Sequence, residues 1–156
     1  MSEYTEEKAI IDILKEYFKK NCTYVSNLKI DYLSEKESWS LEQGANPIVL
    51  KKDVLGNRQM QLTFTLATRI FVNSITDENQ RSILKAFSDI SEWMYQMTQK
   101  KTLPILNDGE ISISLEATTS AYLFAVNKDN TEARYEMPCK FIYKKLRGEW
   151  KNGTNI

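Results

Sequence analysis

The longest alternating run in the chain limits it to a fold built on a sheet. Met60, Leu62, Phe64, Leu66, Ile70 and Val72 share one parity, while Gln59, Gln61, Thr63, Thr65 and Arg69 occupy the other. A period of two over this length is a β-strand, because successive side chains point to opposite faces. One face is apolar and the other rich in Gln and Thr. Such a strand carries a core on one side and leaves the other to solvent, a lumen or a neighbouring subunit. Thr68 interrupts the apolar parity and marks a candidate bend.

Two helices are expected to cover the apolar side. Over Thr5–Lys20, Ile10, Ile11, Leu14, Tyr17 and Phe18 lie on one helical face. Acidic residues open this segment and lysines close it, which complements the helix dipole. A second helix opens at 76–80, where Asp77 with Gln80 matches a capping box and Thr76 is a competing cap. Its apolar stripe is Ile83, Leu84, Phe87, Ile90, Met94 and Met97, with Trp93 at the border. Pro104 forbids continuation, since it lacks the N–H that a helix interior needs.

Further strands are expected on either side of this helix. Leu28, Ile30 and Tyr32 alternate, and so do Trp39 and Leu41 within an acidic stretch. After a loop at 43–47, Ile48–Val54 forms a strand and Leu55–Arg58 a tight turn. Ile111, Ile113 and Leu115 alternate beyond the second helix. Their parity flips near Ala117–Ser120 to Tyr122, Phe124 and Val126, which calls for a bulge, a kink or a break into two strands. Asn127–Asn130 is a polar hairpin loop. Tyr135, Met137, Cys139, Phe141 and Tyr143 restore the odd parity in a last strand, where Pro138 argues for an edge or a bulge. The expected class is α+β: a mainly antiparallel sheet with two principal helices packed on it. The chain reads as a single domain over residues 1–146, with a tail over 147–156 that is flexible or docked on a partner.

The residue inventory offers little chemistry. Histidine is absent, so a Ser–His or Cys–His nucleophile pair is excluded. The five glycines are scattered and form no phosphate-cradling loop. Cys22 and Cys139 are far apart in sequence, and Cys139 falls in phase with core positions, which suits a buried free thiol. No Cys and carboxylate grouping has metal-ligand spacing. The expectation is therefore no enzyme, no cofactor and no metal. Lys and Arg total 21, as do Asp and Glu, so no net field favours nucleic acid or a membrane surface. The acidic N-terminus lacks the apolar core of a secretory signal, and no run approaches the roughly 18 apolar residues of a membrane helix. A cytoplasmic setting is expected.

Several segments in order resemble one family. They are Asn46-Pro47-Ile48, the helical Asp89-Ile90-Ser91-Glu92-Trp93, Leu103-Pro104-Ile105-Leu106, Ala121-Tyr122-Leu123-Phe124, and the strand from Ala133 through Arg134, Tyr135 and Cys139 to Tyr143. Together they resemble the small tail-terminator proteins, also called minor capsid or head–tail joining proteins, of tailed bacteriophages and phage-tail-like particles. The likeness runs from about Glu3 to Tyr143, and its motifs mark packing rather than an active site. It implies a homohexameric ring that terminates the tail tube and joins it to the head connector or collar. The implied partners are further copies of the chain, the tail tube protein, a sheath where one exists, and connector or collar proteins. The implied location is the virion or particle, assembled in the host cytoplasm. Other neck or tail-completion components, and an unrelated α+β binding module, are the alternatives. Candidate partner contacts are Glu42, Gln43 and Asn46 in one loop, Asn127, Lys128, Asp129 and Asn130 in another, and Arg147 and Trp150 in the basic tail.

Overall fold

The computed structural model describes residues 8–25, 29–30, 38–71 and 76–147. Along the chain the elements are α1 (Ile10–Asn21), β1 (Lys29–Ile30), β2 (Ser38–Gln43), β3 (Ile48–Lys52) and β4 (Arg58–Phe71). After them come α2 (Asp77–Lys100), β5 (Glu110–Ala117), β6 (Tyr122–Val126) and β7 (Glu132–Lys145). This is the expected α+β architecture. All strand pairs are antiparallel except β1 with β2, which is parallel.

The sheet is built around β4 and β7. Their register runs unbroken from Arg58 opposite Lys145 to Phe71 opposite Glu132. The even residues of β4 and the odd residues of β7 face the helices, and Leu62, Phe64, Leu66, Tyr135, Met137, Cys139 and Phe141 are buried there. Each fully buried side chain of this size contributes roughly 1.5–3 kcal/mol. Thr68, the candidate bend, does not interrupt the ladder. Thr68 is buried opposite Tyr135 with no shift in register.

Each central strand has two shorter strands on its outer side. β2 and β3 share β4, separated by residues 44–47, while β5 and β6 share β7, separated by residues 118–121. The parity flip after Ala117 is thus a break into two strands. It also corrects the expectation for Pro138, which lies in a central strand and not at an edge. Pro138 stands where the neighbour of β7 changes from β5 to β6, and its carbonyl accepts the Thr118 N–H at 2.8 Å. Main-chain groups of one residue point to the same side of an antiparallel strand, so its missing N–H faces the gap between β5 and β6, where no ladder bond is due.

Both helices pack on one face. α1 buries the expected Ile10, Ile11, Leu14, Tyr17 and Phe18. Phe18 meets Phe64 of the sheet at 6.2 Å and Trp93 of α2 at 5.2 Å, and Trp39 meets Phe87 at 4.9 Å. Three boundaries differ from expectation. α1 begins at Ile10, because Lys8 and Ala9 are not helical; 5–7 lie outside the described residues, as do Leu28, Tyr32 and Val72. β3 ends at Lys52, because Asp53 turns the chain by accepting the N–H groups of Leu55 and Asn57 at 2.9 and 3.0 Å. Gly56 supplies the positive φ of that turn. α2 is capped by Thr76 with Asn79, not by Asp77 with Gln80, since the extended residue before the helix is Thr76. In α2, Phe87, Ile90 and Met94 are buried, whereas Leu84 is exposed at the border of the stripe.

Candidate interaction surfaces

The face of the sheet away from the helices holds a charged network. It forms because β2, β4 and β7 alternate, so most polar positions of the three strands arrive on this side, Thr68 and Gln43 being exceptions on the helix face. The Arg134 guanidinium pairs with Glu42 at 2.8 Å and with Glu136 at 2.7 Å. Ser40 donates to Glu42 at 2.7 Å, and the Tyr122 hydroxyl reaches Glu136 at 3.4 Å. Phe124 lies with its ring centre 5.7 Å from the Arg134 guanidinium. Arg69 pairs with Glu132 at 3.2 Å nearby. Desolvation pulls the pKa of Arg134 down, but the hydrogen bonds and charges of Glu42 and Glu136 outweigh it, so the net shift is upward. These half-buried groups are paired with one another, and the network ties β2, β6 and β7 across the face.

The candidate contact residues fall into three separate places. Glu42 and Gln43 are the last residues of β2 and not part of a loop, and Glu42 is committed to Arg134. Asn46 is exposed in the gap between β2 and β3. Asn127–Asn130 is the expected β6–β7 turn at one end of the sheet, with all four residues exposed. Asn127 shapes that turn: its side-chain oxygen accepts the N–H groups of Thr131 and Glu132 at 2.9 and 3.1 Å. Lys128 and Asp129 stand at its tip. Arg147 lies at the opposite end, where its N–H donates to Asn57 at 3.1 Å and its side chain packs over Gly56. Trp150 lies outside the described residues.

Two surfaces absent from the candidate set are more apolar than any of these. All five residues of β3 are exposed, as are all five of β6. Ile48, Val49 and Leu50 are 54%, 43% and 43% exposed; Tyr122, Leu123, Phe124 and Val126 are 43%, 38%, 57% and 40%. Their apolar content was legible in the sequence; their lack of cover was not. A third apolar feature is an open groove of about 560 Å³ between the end of α2 and β5, lined by Leu103, Pro104, Ile105, Ile111 and Ile113 among others.

Among the described residues, no cluster of three His, Cys, Asp or Glu side chains could hold a metal ion. Both cysteines are free and buried, and burial pushes both thiols above their ordinary pKa, away from nucleophilic thiolate. Burial with the added charge of Cys22 pushes Tyr17 up to about 12; its hydroxyl donates to the Thr102 carbonyl at 2.8 Å. No helix among the described residues is long and apolar enough to cross a membrane.

No protein-family model matches the chain, and no curated protein matches it.

Proposed function

We propose that this chain is a structural subunit of a phage tail or phage-tail-like particle. In this reading it forms a hexameric ring that terminates the tail tube and joins it to the head connector or collar. It performs no bond-making and takes no cofactor. The observation that carries the reading is the arrangement of the sheet: helices on one face, a charged and self-paired opposite face, and uncovered apolar strands at two corners. Contiguous exposed apolar surface marks a site of association. A sheet with one dry face and one wet face suits the wall of a ring, with the charged face toward an aqueous lumen or a tube end. The segments quoted above for the family resemblance are what support a phage tail or phage-tail-like particle as the setting.

The test is tube assembly. Purified chain added to polymerising tail tube protein of the same particle should stop elongation and add a ring of density at one tube end in electron micrographs. Unchanged tube growth with bare ends would contradict the reading.

A further inference from the structure

We infer that the outer edge of β3 in one copy of this chain pairs, antiparallel, with the outer edge of β6 in a second copy. The inference rests on the ring reading for its setting, and supplies the contact between ring subunits.

An unpaired strand edge presents N–H and C=O groups that need partners from water or from another strand. Two other outer strands have partial cover. On β5, the Thr98 hydroxyl of α2 accepts the Leu115 N–H at 3.1 Å, and Ser112 donates to the Pro104 carbonyl at 2.6 Å. β2 carries β1 on its outside. Among the described residues, β3 and β6, like β5 and the two-residue β1, have a strand on one side only. β3 and β6 have equal length, and both are exposed along all five residues.

Strand direction makes the two edges compatible. β3 is antiparallel to β4, β4 to β7, and β7 to β6. Within one subunit β3 and β6 therefore run in opposite directions. β3 lies beside Arg58–Gln61 and β6 beside Ala133–Glu136, at opposite ends of the ribbon, so a second copy in the same orientation but staggered along the strands brings its β6 antiparallel to the first copy's β3. The ladder then continues across the junction, with every helix on one face and every charged network on the other. Val49 and Leu123 share the helix face, being opposite Met60 and Tyr135. The first copy keeps its β6 edge free and the second its β3 edge, so the contact is heterologous and can close a ring.

Charge selects this pairing over the alternatives. Around β3 stand Lys51, Lys52 and Arg58 against Asp53; around β6 stand Asp129, Glu132 and Glu136 against Lys128 and Arg134. β3 against β3 would oppose lysines to lysines, whereas β3 against β6 opposes a basic corner to a mildly acidic one. Each edge also carries one extra residue in its register, at Leu50 and at Phe124. Such bulges twist an edge away from the flat ladder on which unrelated strands add.

The test uses two variants of the full chain, Val49→Asp and Leu123→Asp. Both positions are exposed, so both variants should keep the circular dichroism and thermal midpoint of the parent. In sedimentation, each alone should self-associate at least about thirtyfold more weakly than the parent, the usual cost of spoiling a central interface side chain. Mixed in equal amounts they should form heterodimers and nothing larger, because one intact β3 and one intact β6 remain between them. A variant that alone associates like the parent would overturn the edge pairing, while leaving a ring formed through another surface. A mixture that stays monomeric, or a parent chain that never associates, would also overturn it. The tube-arrest experiment reads the particle assignment separately.

Discussion

The central ribbon and the corner strands use the same residues for opposite ends. β4 and β7 place Leu, Phe, Met and Tyr at every second position, and those side chains are buried under α1 and α2. β3 and β6 place Ile, Val, Leu and Phe in consecutive runs, and none of them is buried. Alternation commits a strand to one dry face within its own chain. A continuous apolar run suits a strand that is covered on both faces, and here the residues of both strands remain exposed, each strand being paired along one edge only. The ribbon thus carries the core of the chain, while the corners carry the exposed apolar surface on which the proposed edge pairing rests.

The sharpest way to break that comparison is to truncate one aromatic ring in each region. Phe141 is fully buried, and Phe141→Ala should cost about 3–5 kcal/mol in urea unfolding. Phe124→Ala should cost no more than about 1 kcal/mol, the worth of its stacking on Arg134. Equal losses would mean that β6 is part of the core.

Alkaline titration tests the dryness of the ribbon. Burial holds the Cys139 thiol above its ordinary value of 9.0. Below pH 9 both the folded and unfolded chains keep this proton. Above it the unfolded chain releases the proton first, so stability should fall as pH rises, by up to about 1.4 kcal/mol per pH unit from this one group. Cys139→Ala should flatten the slope measured by denaturant unfolding between pH 8 and 11, though the buried tyrosines will preserve part of it.

The wet face is expected to be intermediate. Arg134→Ala leaves Glu42 and Glu136 half-buried without their cation, and a loss of about 1–2 kcal/mol is expected after screening. Raised salt should shrink that difference. The smallest effect lies at the start of α2, where Thr76→Ala removes the Asn79 N–H acceptor and should cost about 1 kcal/mol of thermal stability.

Much of the ribbon was legible in the sequence, because a period of two leaves little freedom: the faces of β4 and β7 and the buried state of Cys139 could be read there, and the parity flip after Ala117 marked an irregularity that spacing alone left as a bulge, a kink or a break. The α1 stripe was legible for the same reason at a period of 3.6. Other features depend on what stands beside a strand, which spacing does not record. Pro138 signals an edge when read alone, and only the handover from β5 to β6 gives a central strand a place for it. Glu42 reads as part of a charged loop until Arg134, 92 residues later, is brought to it. Short apolar runs such as Ile48–Leu50 do not reveal whether they are covered. Sequence alone therefore points to polar loop and tail residues as contacts, while the exposed apolar surface lies on two strands.

The most direct test of an assembly built through these corners is hydrogen–deuterium exchange of the full chain across a dilution series. The account predicts that amides of β4 and β7 stay protected at every concentration, while those of Ile48–Lys52 and Tyr122–Val126 are protected when concentrated and lose protection together on dilution. Fast exchange in both corner strands at all concentrations, in a chain that remains oligomeric, would contradict it.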